Sequence, residues 1–449
     1  MATLPAGPTE PPAIQTLRWV LRPLAFMESA RRRFGDTFSV RFVGFESPLV
    51  MLSDPESIRA LYTGRDHSLP PGRTFALRPL LGARSVLLLE GREHLDRRRL
   101  MLPAFHGERM RAYESVVREA TERELATWPT GSPFAIHPSM QAITLEVILR
   151  AVFGVSDEQR GERLRTLLRD LLDQTATPGL QFGVLLARRL GRQGPLARIG
   201  ALRAGVDAVL AEEIRERRGD PQVGERDDIL SQLVAARFED GSGMDDEELR
   251  DQLMTLLVAG HETTATALAW TFDLLLHNPA TLARLQSELA HGDEEYLRAV
   301  ISEALRLRPV VPLAGRRLGS ELRTGDHVLP AGTDVTPSIW LTNTRADTYP
   351  DPFAFRPERF LDNPPGTYSW IPFGGGSRRC LGASFAEFEM RIVLSTVLAR
   401  CTLAAASDRP EHVARRNVTL SPRHGTRVIL QARRPAPRPV RVPAAGGRS

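Results

Sequence analysis

The sequence predicts an α+β fold, mostly helical, built as one large domain with a long central helix and small β-sheets. Three observations support this. Between residues 93 and 308 apolar residues recur at helical spacing almost without a break, strand-like alternation is confined to short flanking stretches, and no internal repeat or long linker divides the chain. With 449 residues, 42% hydrophobic and 25% charged, the chain can bury a sizeable core. Collagen-like, disulfide-scaffolded and wholly disordered classes are excluded.

Taken in order, residues 1–12 are Pro-rich and are expected to be a loose leader, residues 13–432 the folded domain, and residues 433–449 a disordered Arg/Pro tail. Phe38, Val40 and Phe42 alternate with Ser39 and Arg41, the period of a half-buried strand. A second apolar run from Leu49 to Leu52 follows, and Asp54-Pro55-Glu56 reads as a capped helix start. Pro309 ends the helical body. The next fifty residues turn irregular, with six prolines from Pro312 to Pro357, and a helix resumes after Cys380.

Charge first suggests nucleic acid, because the net charge is +5 and the sequence pI about 9.8. No lysine occurs, so all 59 cations are arginines and a modest charge persists to high pH. No basic stripe with interleaved aromatics accompanies it, and aromatics are only 6%, too few for base-stacking platforms. Exclusive arginine usage points to a GC-rich bacterial coding sequence. Two cysteines, Cys380 and Cys401, cannot build a disulfide framework. No apolar run approaches the ~18–20 residues that span a bilayer. A soluble cytoplasmic protein is expected.

One helix stands out. Asp245, Glu247 and Glu248 place acids in its first turn and His277-Asn278-Pro279 stop it, giving a rod of about 50 Å that crosses the molecule. At its middle lies Ala259-Gly260-His261-Glu262-Thr263-Thr264. A glycine and four polar residues contradict the core pattern around them. A kink or an exposed face would account for this, as would a site where the helix opens beside a ligand.

The decisive segment runs Phe373-Gly374-Gly375-Gly376-Ser377-Arg378-Arg379-Cys380-Leu381-Gly382. The glycines allow positive φ and close backbone approach. Arginine neighbours and a following helix favour a thiolate at Cys380. With no second cysteine or histidine nearby in sequence, that thiolate suits one axial bond to a metal whose other ligands come from a cofactor. Cys401, among Leu and Ala, reads as a buried structural thiol.

These residues resemble the signature of the cytochrome P450 family of haem-thiolate monooxygenases, F-x-x-G-x-R-x-C-x-G, filled by Phe373, Gly376, Arg378, Cys380 and Gly382. Five fixed positions give about one chance match in 10⁴ chains of this size. Further motifs follow in the family's order. Glu303 and Arg306 resemble its E-x-x-R pair, although at i,i+3 such a pair is ordinarily a surface contact worth a few tenths of a kcal/mol. In Pro357-Glu358-Arg359-Phe360, Arg359 resembles the arginine that joins that pair in a buried structural network. The 259–264 segment is similar to the family's oxygen-activating segment. His94 and Arg98 share one helix face and, with Arg316, resemble its propionate-binding residues. Soluble bacterial relatives often have histidine where His94 stands.

The resemblance implies haem b with Cys380 as the iron's axial ligand, Phe373 and Gly374 in the supporting loop, and His94, Arg98, Arg316 and Arg378 at the propionates. It implies Gly260, Glu262 and Thr263 as the catalytic set, with Ala259, Val311 and Leu313 in the substrate wall. Residues 74–86, the helices flanking 179–194 and residues 310–314 fall at its substrate-facing positions. These stretches are apolar, so the substrate is expected to be hydrophobic or amphipathic: a terpenoid, fatty acid, steroid or polyketide. No fused reductase fits after the haem loop, so electrons are expected from a separate ferredoxin and a flavoprotein reductase, to a monomeric enzyme that binds neither nucleic acid nor membrane. Arg97, Arg99 and Arg379 are expected to face solvent and steer an acidic ferredoxin. A peroxide-driven peroxygenase and a non-catalytic haem sensor are the alternatives on the same fold.

Overall fold

The computed structural model describes residues 4–64, 68, 73–105, 107, 109–155, 157–176, 194–361, 364–416 and 418–435. Prolines open the first three helices, α1 (Pro12–Leu21), α2 (Pro23–Phe34) and α3 (Pro55–Thr63). Asp54 caps α3 by accepting a bond from the Ser57 amide at 2.7 Å. Between α2 and α3 lie β1 (Thr37–Val40), where alternation was seen, and β2 (Leu49–Leu52), the apolar run.

The leader is not loose over its described residues. The Ala6 carbonyl accepts from the Ser39 amide at 3.1 Å, and the buried Gln15 side chain donates to the carbonyls of Pro8 and Glu10. Proline removes N–H donors but leaves carbonyls free to dock, and these carbonyls fix the segment against β1.

The helical body continues with α4 (Arg73–Leu81), α5 (Gly91–Met101), α6 (Arg109–Thr127), α7 (Ile136–Val147), α8 (Glu158–Ala176), α9 (Gly194–Gly219) and α10 (Ile229–Ala235). The expected segment 179–194 lies almost wholly outside the described residues. Next comes α11 (Asp246–Leu276), capped by the Asp245 carboxylate, which accepts from the Glu248 amide at 2.9 Å. Its 31 residues rise about 46 Å and are helical throughout, the polar insert at 259–264 included. Beside it, Ile148–Val152 extend α7 as a π-helix packed against α11. Helices α12 (Pro279–Ala290), α13 (Glu295–Leu307), α14 (Ile339–Asn343) and α15 (Ala383–Arg400) complete the body. The main core forms where α11 packs against α7, α13 and α15.

The remaining strands are short: β3 (Pro133–Ala135), β4 (Arg316–Arg317), β5 (Leu322–Thr324), β6 (His327–Leu329), β7 (Asp334–Pro337), β8 (Cys401–Ala405), β9 (Val413–Arg416), β10 (Thr419–Pro422) and β11 (Arg427–Arg433). They form one mixed sheet in the order β1-β2-β7-β4, a three-stranded sheet β3-β11-β8, and the hairpins β5-β6 and β9-β10. Arg433 closes β11 and donates to the carbonyls of Leu125 and Trp128, so the folded domain includes it; the expected tail from residue 436 lies outside the described residues.

Candidate functional site

A cavity of about 1960 Å³ lies beside the middle of α11. Ala259, Gly260, Glu262 and Thr263 line it from that helix, and His94 and Arg98 line it from α5. Val311, Leu313 and Arg316 contribute from the segment after α13, and Phe373, Gly374, Arg378 and Cys380 from the glycine-rich loop. The fold thus gathers every predicted catalytic, cofactor and pocket residue around one space.

The loop is built for this. Gly374 and Gly376 take φ of 65° and 66°, values that a side chain opposes. The Cys380 amide donates to the Phe373 carbonyl at 2.9 Å, closing the turn. Tyr62 of α3 backs the loop: a Cβ on Gly375 would strike its ring, and one on Gly376 would lie 2.7 Å from its carbonyl oxygen. Cys380 opens onto the cavity, whereas Cys401 is buried. Burial pushes the Cys380 thiol up, against the lowering effects of the Gly382 amide, Arg98 and Arg379. Arg98 and Arg379 thus act in the expected direction, toward thiolate, against the effect of burial.

Around this thiol the cations repel one another. His94 is pushed down to about 4, first by burial and then by Arg378, Arg98 and Arg316. Burial and the charge of Arg379 also lower Arg98. Arg378 donates to the Leu89 carbonyl at 2.5 Å and Arg316 to that of Gly315 at 2.9 Å. A dianionic ligand would relieve this repulsion. Two glycines leave room: a Cβ on Gly260 would meet only Ile148 Cδ1, at 3.8 Å, and one on Gly382 nothing within 4 Å.

Outside the cavity, Glu303 and Arg306 are fully buried and joined at 2.6 and 2.8 Å. Arg306 also donates to the carbonyls of Asn343 and Pro352, both at 2.8 Å, and Arg359 lies 3.4 Å from Glu303. The pair is a buried network, not a surface contact.

A sequence profile described as Cytochrome P450 matches residues 5–429. The protein of Mycobacterium tuberculosis (strain H37Rv) named "Putative cytochrome P450 135B1" is 40% identical over 440 residues, covering 96% of this chain and 92% of its own. The chain belongs to the cytochrome P450 family. Among solved structures, retinoic acid-bound cyanobacterial CYP120A1 superposes with a TM-score of 0.81 at 24% identity, over 96% of this chain and 100% of that one. The haem domain of cytochrome P450DA gives 0.83 at 22%, over 97% and 99%. Cytochrome P450s carry haem, and the lone thiol, clustered cations and open glycine faces here fit a cysteine-ligated macrocycle with two propionates.

In this cytochrome P450, Glu262 and Thr263 have separate partners. The Thr263 hydroxyl donates to the Ala259 carbonyl at 2.6 Å. Glu262 accepts from Gln141 at 2.6 Å and from Thr266 at 3.4 Å, with Arg416 at 3.6 Å and His137 at 3.7 Å. Gln141, His137 and Arg416 were not legible, because they come from α7 and β9 and carry no local motif. Glu389 was also missed. It is buried against the same cavity and pushed up to about 8 by burial alone; an acid flanked directly by Phe388 and Met390 was its available signal.

Arg97 corrects an expectation. It does not stand free in solvent but pairs with the buried Glu248 at 2.7 Å and covers the Phe238 ring. Arg99 is exposed, 3.4 Å from Glu239, and Arg379 is exposed but also lines the cavity.

Proposed function

We propose that this cytochrome P450 is a monooxygenase that activates O₂ with two electrons from a separate ferredoxin and its flavoprotein reductase, and hydroxylates or epoxidises a hydrophobic or amphipathic small molecule in the cytoplasm. One observation carries the reading: a lone cysteine, a cluster of cations and the Gly260–Thr263 turn of a continuous helix share one cavity.

Cys380 would bind the iron through Sγ, with Phe373 packed against the loop to shield it. His94, Arg98, Arg316 and Arg378 would hold the propionates through charge-assisted hydrogen bonds. When bound, haem b supplies the oxygen-activating chemistry. The chain's own part is positioning, dryness and protons. Gly260 keeps the α11 backbone free of a side chain facing the cavity. Glu262 is half-buried and lines the cavity, so its carboxylate can take a proton from water and pass it inward. Thr263 Oγ1, by rotating from the Ala259 carbonyl, presents that proton at the cavity wall. Ala259, Val311 and Leu313 exclude water and hold apolar substrate. The protein works as a monomer in this reading.

The reduced carbon-monoxide complex should show the strongly red-shifted Soret band of thiolate ligation. Cys380→His should abolish it and Cys401→Ser should keep it; the reverse pattern overturns the assignment. Turnover supported by peroxide but not by oxygen with a reconstituted electron chain would replace monooxygenase by peroxygenase.

A further inference from the structure

Between α4 and α5 the chain crosses from Leu81 to Gly91 with neither helix nor strand, and Val86 and Leu87 of this crossing line the cavity. Irregular backbone at a buried wall must find partners for its N–H and C=O groups. Here side chains of α11 supply them. Asp251 accepts from the Arg84 amide at 2.9 Å. The Gln252 side chain accepts from the Val86 amide at 2.9 Å and donates to the Arg84 carbonyl at 2.6 Å. One turn further on, Thr255 Oγ1 lies 2.6 Å from the Ser85 hydroxyl, whose oxygen also accepts from the Leu87 amide at 3.2 Å. Positions 251, 252 and 255 are neighbours on one side of a helix.

These ties are dry and close. Ser85, Asp251 and Gln252 are fully buried, and Thr255 nearly so. Gly82 permits the approach, since a Cβ there would lie 1.9 Å from Asp251 Oδ1. Arg250 meets the Asp251 charge at 2.6 Å. The far end of the crossing is fixed as well: the Leu89 carbonyl accepts from Arg378, two residues before Cys380. Val86 and Leu87 are therefore held between α11 and the cysteine loop. Thr255 reaches the cavity itself, whereas Asp251 and Gln252 stand behind its wall.

We propose that Gln252 is a positioning residue for substrate selectivity, fixing from behind the wall how far Val86 and Leu87 reach into the cavity. Gln252 is singled out because it bonds both a donor and an acceptor of the crossing, on either side of Ser85. It is also uncharged, so its removal strands no buried ion. Asp251 and Thr255 hold the neighbouring residues of the same crossing. A wall fixed in advance keeps its contacts with a ligand without the cost of ordering it on binding. The inference rests on the placement of haem at Cys380 proposed above.

The test titrates the haem-loaded protein with imidazole and with phenylimidazole, two nitrogen ligands read by the shift of the Soret band. Imidazole is the control, and the added phenyl ring is the group expected to pack on Val86 and Leu87. Gln252→Met, similar in volume but without the two bonds, should weaken phenylimidazole about tenfold and imidazole by less than about twofold. Val86→Ala with Leu87→Ala should do the same. Adding Gln252→Met to that variant should change little more, as expected of a residue that acts through those two. If Gln252→Met melts too low to titrate, Ser85→Ala removes a different tie and should move the same ratio about threefold. The inference is overturned by an unchanged ratio of the two affinities, by equal losses for both ligands, or by fully additive effects of Gln252→Met and the wall variant. A wild type whose Soret band imidazole does not shift would overturn the haem placement with it.

Discussion

Replacing Arg306 by methionine would remove a guanidinium whose donors reach the Glu303 carboxylate and the carbonyls of Asn343, Pro352 and Ala354. Breaking a buried pair by deleting one partner costs about 3–5 kcal/mol, and each stranded carbonyl about 1–3 kcal/mol more before relaxation. Even with strong overlap the sum is at least about 5 kcal/mol, comparable to the ~5–15 kcal/mol of a whole domain. The damage should also travel. Asn343 Oδ1 accepts from the Ile371 amide, the Ile371 carbonyl from the Gly374 amide, and the Phe373 carbonyl from the Cys380 amide. Loosening Asn343 therefore loosens the cysteine loop. Urea unfolding followed by tryptophan fluorescence, and haem content per chain from the carbon-monoxide band, measure the two effects. Glu303→Leu with Arg306→Met should be less damaging than either single change, because the two paired charges leave together while Arg359 keeps its bond to the Asp351 carbonyl. An Arg306→Met protein within about 1 kcal/mol of wild type and fully haem-loaded would refute the reasoning.

Thr263→Ala should keep folding and haem binding but uncouple turnover, with oxygen and reductant consumed while product falls several-fold and peroxide rises; unchanged coupling would point to Thr264 or to a substrate hydroxyl. Burial, then Arg416, holds His261 down at about 4, and burial, then Arg416 and His261, hold His137 at about 3. Both are neutral when folded and take up protons on unfolding below about 6.5, so their contribution is complete above that pH and is lost as pH falls toward 4 and 3. His137→Gln should flatten the fall of the urea midpoint between pH 6.5 and 4; an unchanged slope would exclude His137. Arg379→Glu should slow reduction by an acidic ferredoxin and flatten its salt dependence, while Arg97→Glu should instead lower stability by stranding Glu248. The opposite assignment would show in stopped-flow reduction rates and melting curves.

The helical body and the central rod were legible because period and caps are local properties of the chain: Asp245, the acids after it and Pro279 mark both ends of α11. The cysteine loop was legible for the same reason, since its glycines, arginines and thiol are contiguous. What failed to show depends on distance. Glu303 and Arg306 alone read as a surface pair, because only carbonyls some forty to fifty residues downstream make them a core element. The opposing effect of burial on the thiol could not be foreseen from flanking arginines, since the loop is packed by residues distant in sequence such as Tyr62 of α3. The leader misled because proline-rich composition argues against secondary structure but not against docking through carbonyls.

The mixed sheet also dictates an order of assembly. β2 pairs with β1 on one side but with β7 on the other, in parallel, Leu49 facing Asp334. During synthesis its apolar edge, Leu49 to Leu52, must wait on the order of tens of seconds for that partner to emerge. Such remote pairing is slow to close and leaves a sticky strand edge in the meantime. Cys380 emerges later still. The nascent chain thus has its N-terminal sheet unfinished until shortly before the cysteine loop appears, so chaperone access to β2 and the supply of haem become demands of the same late interval.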